Sequence, residues 1–196
     1  MKNLICIVLL VFIQISAKAQ TEKGRWNAGF SVGQFSYQKN DLLSGFSGSI
    51  SPTAGYFVAR NFLIGTGIPI SYSSTDYSNL GVIRRMRVTS IGVSPFARYY
   101  IGASKLKPYV GIAYTYSHSN YHEENSQTIP TIMNDESTSA SLTPSLGLAY
   151  FINRSISLDA QLGYNFYSSK ASIFDSSAYN YRVATLGIGF NIFFGS

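Results

Sequence analysis

Residues 182–194 read RVATLGIGFNIFF, and their pattern predicts the fold of the chain. From Ala184 to Phe194 every second side chain is apolar, whereas the residues between them are mostly small or polar. A period of two predicts a β-strand with one apolar face. The strand is long and ends the chain. Such a strand suits a closed membrane barrel, in which the last strand pairs with the first and no strand edge is left in lipid.

Residues 1–19 have the pattern of a secretory signal peptide. Lys2 is followed by an apolar run from Leu4 to Ile13, and residues 17–19 read AKA, an A-x-A cleavage pattern. The apolar run is too short to cross a bilayer as a helix. We therefore expect residues 1–19 to be a signal peptide and residues 20–196 to form a single barrel domain. The only cysteine, Cys6, lies in the signal, so the mature chain is expected to lack disulfides and thiolate metal sites.

The composition is low in charge and rich in aromatic residues. Charged residues make up 12% of the chain and aromatic residues 15%, whereas an ordinary soluble domain is about a quarter charged. The 15 Lys and Arg residues exceed the 9 Asp and Glu residues, but they are scattered rather than clustered. We therefore expect no nucleic-acid partner. Low charge together with 17 Gly favours a barrel whose outer wall meets lipid.

Eight stretches of the mature chain alternate between apolar and small or polar side chains. No apolar run after the signal is long enough for a membrane helix. The predicted strands cover about 25–37, 46–58, 62–73, 86–101, 108–118, 140–151, 156–167 and 182–194. Most have about 11–14 residues, as a tilted membrane strand requires, and ordinary strands are shorter. The fold class is predicted to be all-β, an eight-stranded antiparallel up-and-down transmembrane barrel.

Aromatic residues collect at the predicted strand ends, as expected for two interfacial girdles. The first band contains Trp26, Tyr56, Phe62, Tyr99, Tyr109, Tyr150 and Phe194, and the second contains Tyr37, Phe46, Tyr72, Tyr116, Phe166 and Tyr181. The opposite strand face carries mainly Gly and Ser with few charges, with Ala149 and Phe193 as exceptions. A narrow lumen filled by side chains explains that face better than a surface exposed to bulk water.

The connections alternate between short and long. The short turns lie at 59–61, 102–107 and 153–154, and the predicted long loops at 38–45, 74–85, 119–139 and 168–180. In membrane barrels the long loops are extracellular, which predicts that both termini are periplasmic. Proline lacks a ladder donor, so we expect bulges or kinks at the four prolines inside predicted strands, Pro52, Pro69, Pro95 and Pro144.

Residues 24–194 resemble the small eight-stranded outer-membrane barrels, the OmpX type and the membrane half of OmpA. The last strand and the hairpin SLGLAYFINRSISLDAQLGYN carry this resemblance. It implies a location in the outer membrane and a barrel-insertion signal at Thr185, Gly187, Gly189, Phe190, Ile192 and Phe194. It also implies outer-membrane lipid, lipopolysaccharide and the barrel assembly machinery as partners, with other envelope proteins as further candidates. Gly195 and Ser196 follow the last aromatic, where many relatives end on it.

Polar residues on the predicted inner face suggest a network that fills the lumen. Arg98 and Asp159 carry opposite charges near the same end of the barrel, and a charge in a narrow lumen needs a partner. We expect the two to pair, within a polar network formed by Arg98, Asp159, Gln161, Asn165 and Asn191. We favour such a plug over a conducting pore, because the interior of an eight-stranded barrel is just wide enough for side chains to fill it.

Residues 117–125, SHSNYHEEN, hold the catalytic residue types that lie closest together in the sequence. A base must reach its nucleophile, but neighbouring residues in a strand point to opposite faces, which argues against a dyad of His118 and Ser119. His122, Glu123 and Glu124 suit a metal in type, but they lie in a predicted loop. We therefore expect no catalytic residues, no metal and no cofactor. Arg84, Arg85 and Arg87 are expected to anchor the rim.

The sequence favours a structural or interaction role, with extracellular loops that present a binding surface. The alternatives are a lipid-modifying barrel enzyme resembling the lipid A deacylases, with His118 or His122 as base, and a small-solute channel. A soluble lipocalin is a further competitor, because residues 24–26 read GRW and residues 75–77 read TDY, as in two short lipocalin motifs. A lipocalin should have an apolar interior, which the Gly and Ser face does not predict.

Overall fold

A computed structural model describes residues 21–40, 42–79, 82–126, 131–171 and 178–195. The predicted signal peptide, residues 1–19, lies outside the described residues, as do parts of the four predicted long loops. Nine β-strands run through the described chain. They are β1 (Trp26–Lys39), β2 (Leu43–Ala59), β3 (Phe62–Gly67), β4 (Ile70–Asn79), β5 (Val82–Tyr100), β6 (Leu106–Ser126), β7 (Thr131–Phe151), β8 (Ile156–Ala171) and β9 (Ala178–Phe194).

The strands form a closed antiparallel ring. Each strand is hydrogen-bonded to its neighbours in the ring, and β9 closes the ring on β1 along part of its length, from Trp26↔Phe194 to Gly33↔Gly187. β3 and β4 are two halves of one wall strand, because both pair with β2 on one side and β5 on the other in a common register. Ile68 and Pro69 interrupt that strand. The wall therefore has eight strands, and the predicted barrel topology is confirmed.

The apolar strand faces look outward, as predicted. Leu146, Leu158 and Ile188 are 62%, 45% and 60% exposed, whereas Asn191, on the other face of β9, is 4% exposed. An outer surface that exposes so many apolar side chains is stable only in an apolar environment, which the bilayer provides. A lipocalin would have shown these side chains packed together in the centre, so the lipocalin alternative is wrong. Among the described residues, no helix is long and apolar enough to span a membrane.

The bulges expected at the prolines are not found in the described pairings. Register shifts fall instead between Gly33 and Ser36 on β1 and between Phe57 and Ala59 on β2. At the prolines the register continues, and each proline coincides with a short gap in one ladder. A missing N–H removes a single rung and does not require an extra residue.

The predicted long loops are mostly strand, which corrects a second feature of the sequence-based topology. Residues 119–139 were predicted to be a loop, yet β6 continues to Ser126 and β7 begins at Thr131, with paired residues from Asn125↔Thr131 onward. Both strands have 21 residues, about 70 Å of extended chain, and a tilted strand needs about 9–11 residues to cross the hydrocarbon. The β6–β7 hairpin therefore projects well beyond the apolar band.

Candidate functional site: a closed lumen and a charged extension

The barrel end that carries the short turns 60–61, 101–105 and 152–155 is here called the turn end, and the opposite end the loop end. The turn end is closed by buried, mainly aromatic side chains. This aromatic plug consists of Phe57, Leu63, Tyr100, Tyr109, Ala149, Phe151 and Phe193, each at most 2% exposed. Its rings lie in contact, with centroids 5.2 Å apart for Phe151–Phe193 and 5.3 Å for Tyr100–Tyr109. Tilted ring pairs at these distances are favourable contacts.

The chain before β1 covers the plug from below. Arg25 donates hydrogen bonds to the carbonyl oxygens of Arg154 and Phe193 at 2.8 and 3.1 Å. Lys107 Nζ donates to Thr21 Oγ1 at 3.1 Å, and Thr21 in turn donates to Asn61. Residues 21–25 are therefore fixed across the turn end, which leaves the lumen closed on this side.

Arg98 lies directly above the plug and contacts two of the predicted network residues. Its guanidinium is 3.5 Å from Asp159 Oδ2 and 3.4 Å from Gln161 Oε1. It also lies over the rings of Phe96 and Tyr109, 4.9 and 5.2 Å from their centroids. Asp159 accepts a further hydrogen bond, from the Ser157 hydroxyl, at 2.7 Å. The lumen therefore holds a compensated charge pair, which suits a site with little water.

The other two predicted network residues occupy different positions. Asn165 belongs to a separate cluster, in which it accepts from Thr143 at 2.7 Å and donates to Thr185 at 2.9 Å and to the Val183 carbonyl at 3.1 Å. Asn191 accepts from Asn27 at 3.2 Å and lines the same cavity as Arg98 and Asp159. The structure thus brings Arg98, Asp159, Gln161 and Asn191 to one level and places Asn165 in another cluster.

A cavity of about 150 Å³ with a mixed polar and apolar lining occupies the middle of the lumen. Serine and glycine residues supply much of its wall, together with the side chains of Arg98 and Gln161. Several inward positions carry no side chain at all, for example Gly111, Gly187 and Gly189. These glycines leave the space that water or a small polar group needs.

Sequence reasoning missed the aromatic plug and misplaced one of its members. Tyr109 was predicted in an outward girdle, but its side chain is buried and donates to Gln161 at 3.1 Å. Tyr181 also lies on the lumen face rather than in a girdle, stacked on Tyr167 with centroids 4.8 Å apart. A signal for the plug was present in the sequence, because Ala149 and Phe193 were exceptions on the polar face. Near the turn end, several strands carry an apolar residue at a position that faces the lumen, and this pattern could have indicated the plug.

Charged side chains gather where β4, β5, β6 and β7 project past the apolar band. We call residues 74–78, 84–87, 118–126 and 132–137 the charged extension. On its outer face Arg85 pairs with Asp76 at 3.2 Å and with Glu124 at 3.3 Å. Arg87 lies 4.0 Å from the same Glu124 carboxylate. Arg85 and Arg87 therefore form one ion-pair network with Asp76 and Glu124.

The inner face of the charged extension carries a further ion pair. Arg84 contacts Glu123 through two parallel hydrogen bonds of 2.7 and 2.8 Å. This fork-to-fork geometry is specific to Arg and orients both side chains. The hydrogen bonds to Glu123, and then its negative charge, raise the pKa of Arg84 further, so the guanidinium stays charged at any physiological pH.

The histidines of the charged extension contact acidic and amide partners on the outer face. His122 forms hydrogen bonds with Asn134 at 2.7 Å and Glu124 at 3.1 Å, and His118 Nε2 lies 3.8 Å from Glu136. The contacts with Asn134 and Glu124 raise the pKa of His122 above its usual value. The hydrogen bond from His122 and the nearby arginines lower the pKa of Glu124. The His122 imidazole therefore holds its proton into a higher pH range than a free histidine.

The geometry gives no catalytic arrangement around residues 117–125. Ser119 is buried on the inner face, paired with Ser137, whereas His118 lies on the outer face opposite Ile91. Within the described chain, no group of three or more His, Cys, Asp or Glu side chains is placed to hold a metal ion. What the cluster can do is present charge and hydrogen-bonding groups.

The residues of the implied insertion signal lie on β9, the strand that closes the ring. Phe190, Ile192 and Phe194 face outward, and Phe190 meets Phe30 of β1 with centroids 5.8 Å apart. Thr185, Gly187 and Gly189 face the lumen, where Thr185 accepts the hydrogen bond from Asn165. On β9, small residues therefore face the lumen and large apolar residues face lipid, which suits the strand that closes the barrel.

Residues 5–194 match the model of the outer membrane protein beta-barrel domain family, and the chain belongs to this family. It is an outer-membrane β-barrel protein whose lumen is closed at the turn end. The match includes most of the predicted signal peptide as well as the whole barrel. No curated protein matches the sequence.

Solved structures share the fold at low sequence identity. The outer membrane protein OprG from Pseudomonas aeruginosa is similar with a TM-score of 0.56 and 16% identity, over 91% of this chain and 99% of that chain. A major outer membrane protein from Thermus thermophilus is similar with a TM-score of 0.51 and 11% identity, over 88% of this chain and 100% of that chain. These likenesses support the small-barrel architecture alone.

Proposed function

We propose that the protein is a structural and interaction barrel that presents the charged extension at the cell exterior. The observation that carries this proposal is the β6–β7 hairpin, whose 21-residue strands continue far past the apolar band. Its projecting part is ordered by ladder pairing and by ion pairs on both faces. This charged surface lies outside the apolar wall that lipid covers, so its charged and hydrogen-bonding groups are accessible to a partner.

We also propose that neither catalysis nor solute conduction is its role. The aromatic plug and residues 21–25 close the turn end, which argues against a through-going channel. His118 and Ser119 lie on opposite faces, which argues against a lipid-modifying dyad. An unchanged lipid A acyl pattern in cells that lack the gene is the expected result, and a changed pattern would restore the enzyme hypothesis.

The proposed partners follow from the surfaces. Lipid covers the apolar wall, and lipopolysaccharide meets the outer-face arginines Arg85 and Arg87 just above it. The barrel assembly machinery reads the β9 residues of the insertion signal. Other envelope proteins bind the charged extension.

Cysteine labelling tests the proposed orientation. The described residues contain no cysteine, so single substitutions give an unambiguous signal. In intact cells a membrane-impermeant maleimide should label Asn134→Cys at the loop end, and it should label Asn153→Cys at the turn end only after permeabilisation. The reverse pattern would place the charged extension in the periplasm and contradict the proposal.

Shortening the hairpin tests the interaction role. Deletion of residues 121–135, with Asn120 and Glu136 joined by an Asn-Gly turn, retains a paired hairpin because these two residues already lie opposite each other. Formaldehyde crosslinking of whole cells should yield adducts with the native protein that this deletion removes. The matched control shortens the β8–β9 hairpin from the Ser168↔Asn180 pair and should keep them. Adducts that survive the first deletion would exclude the charged extension as the binding surface.

A further inference from the structure

The seam between β1 and β9 is paired over only half of its height. In the described chain, these two strands pair from Trp26↔Phe194 to Gly33↔Gly187, whereas β9 continues along β8 to Lys170↔Ala178 and β1 along β2 to Lys39↔Ser44. The register shift between Gly33 and Ser36 lies at the height where the pairing with β9 stops. Above Gly33 and Gly187 the wall is therefore open between the two strands.

The register shift is held by a local contact. The ring of Phe35, one of the two residues inside the shift, lies over Gly48 of β2, with Cε1 2.9 Å from where a Cβ on Gly48 would be. Any side chain at Gly48 would displace this ring. Phe35 itself is 65% exposed and forms one edge of the opening.

The opening crosses the wall rather than lying on one side of it. A cavity of about 740 Å³ is lined by residues of both strand faces. Its volume is in the range of about 300–1,000 Å³ that small-molecule sites occupy. The stacked rings of Tyr167 and Tyr181 form its upper wall on β8 and β9. Its other lining residues include Val32, Leu186 and Ile188 on the apolar outer face and Gly33, Val183 and Thr185 on the lumen face.

The opening adjoins the cavity in the lumen. Ile188 lines both spaces, and Ser31 and Gly187 of the lumen cavity are chain neighbours of Val32 and Leu186 in the opening. The two spaces together therefore extend from side chains that face lipid to hydroxyl groups and the Arg98–Asp159 pair. Among the described residues that line the lumen cavity, these two are the charged ones, and their charges compensate.

We propose that the opening between β1 and β9 is a lateral binding site for a single-chain amphiphile of the surrounding leaflet. The acyl chain lies between the strands, against Val32, Phe35 and Leu186, and continues into lipid. The head lies in the lumen cavity and is uncharged and polar, because the compensated Arg98–Asp159 pair offers no net charge to an ion. The closed turn end makes the site a dead end rather than a passage.

Tryptophan quenching tests the site with brominated monooleoylglycerol as the probe. The mature protein, with Trp26→Phe and Tyr181→Trp, is folded into lipid nanodiscs, so that the only tryptophan lies in the wall of the opening. Quenching should saturate with added probe. In the native protein Trp26 faces lipid at the turn end and should report only linear partition into the bilayer. A linear response at both positions would overturn the proposal.

A blocking substitution and a matched control identify the opening as the site. Ala184→Phe, added to the protein that carries Trp26→Phe and Tyr181→Trp, fills the opening from β9 and should weaken binding at least about tenfold, about 1.4 kcal/mol. Ala54→Phe adds the same ring to the outer face of β2 and should leave binding unchanged. Equal affinities for both variants would contradict the site. Brominated hexadecane that binds as tightly as the monoacylglycerol would contradict a head group in the lumen.

Hydrogen exchange tests the opening without substitution. Amides of residues 181–186 that point toward β1 should exchange faster than the equivalent amides of residues 188–193, which are paired across the seam. Added monooleoylglycerol should slow the exchange of the first group alone. Uniform protection along β9 would show a fully paired seam and overturn the proposal.

Discussion

The stability of the barrel interior depends on one ion pair in the lumen, between Arg98 and Asp159. Arg98 and Asp159 have side chains that are 15% and 4% exposed, and they lie on β5 and β8, on different parts of the ring. A charge in such a place is tolerated only with its partner, because water cannot replace the lost solvation. Gln161 and the two rings around the guanidinium support Arg98 but do not neutralise it.

We expect Asp159→Asn to lower the free energy of unfolding by about 3 kcal/mol, since it leaves the Arg98 charge buried without a counter-charge. Asparagine retains the shape and can still accept the Ser157 hydrogen bond. Urea unfolding in lipid vesicles measures the change. Asp76→Asn, which removes a partner of the exposed Arg85, should cost less than about 1 kcal/mol and serves as control. Equal effects at both positions would show that the lumen charge is hydrated.

Strands β2 and β3 approach each other closely at Gly65. A Cβ on Gly65 would lie 2.8 Å from Gly55 Cα on β2 and 2.7 Å from Phe96 Cζ. Backbone of a paired strand cannot move away, so Gly65→Ala should destabilise the barrel by about 1–3 kcal/mol in the same urea assay. Gly187→Ala is the matched control, because its Cβ would meet nothing nearer than the Val32 carbonyl at 3.8 Å. Equal stability of the two variants would contradict the close approach.

At the scale of elements, the β6–β7 hairpin is a strand pair that leaves the barrel and is stabilised by its own contacts. Each exposed ion pair contributes little by itself, but Arg85, Arg87, Glu124 and His122 share partners on one face. Groups that face His122 come from β5, in Arg87, from β6, in Glu124, and from β7, in Asn134. The ordering of the hairpin tip should therefore depend on pH.

The sign of that dependence follows from the directions of the two pKa shifts. The pKa of His122 is raised in the fold, so its contribution is complete below pH 6.5 and is lost as the pH rises through the raised value. The pKa of Glu124 is lowered, so its contribution is present above pH 4.5 and is lost at lower pH. Protection of the hairpin amides should be greatest between pH 4.5 and 6.5, as measured by hydrogen exchange corrected for intrinsic rates. His122→Gln should remove the loss above pH 6.5, and an unchanged profile in that variant would contradict the role of the imidazole.

At the scale of the whole molecule, the barrel is a tube with one closed end. The aromatic plug, the Arg98 group above it and residues 21–25 below it lie in series along the axis. Eight strands leave an interior that side chains can fill, and at the turn end they fill it.

We therefore expect the purified protein to give no step currents in planar bilayers under an applied voltage. Insertion must be verified in the same sample, by the change in gel mobility between heated and unheated protein. Replacement of Phe151 and Phe193 by alanine, which removes two touching rings of the plug, is the informative comparison. Regular current steps from the native protein would show that the turn end opens, and this would revive the channel hypothesis.

The outward and inward faces of the barrel wall could be derived from the sequence alone. Alternation along one strand is a local property, so the apolar positions of residues 182–194 already decided which side chains meet lipid, and the family match agrees with that interpretation. The pairing of Arg98 with Asp159 could also be anticipated, because two opposite charges on one inner face must compensate each other. The extension of the strands beyond the membrane could not be anticipated, because a polar loop and a polar hairpin have similar amino-acid compositions.

The side-chain contacts inside the ring could not be derived in this way, because they depend on how the eight strands are arranged in space. Which inward side chains reach the same height depends on strand tilt and on the stagger of all eight strands, and no single strand carries that information. This is why the aromatic plug around Tyr100 and Phe151 was missed, and why Asn165 lies apart from Arg98. The opening above Gly33 could not be predicted for the same reason. It depends on a register shift of one residue in β1 and on how β1 pairs with β9, the strand at the other end of the barrel sequence.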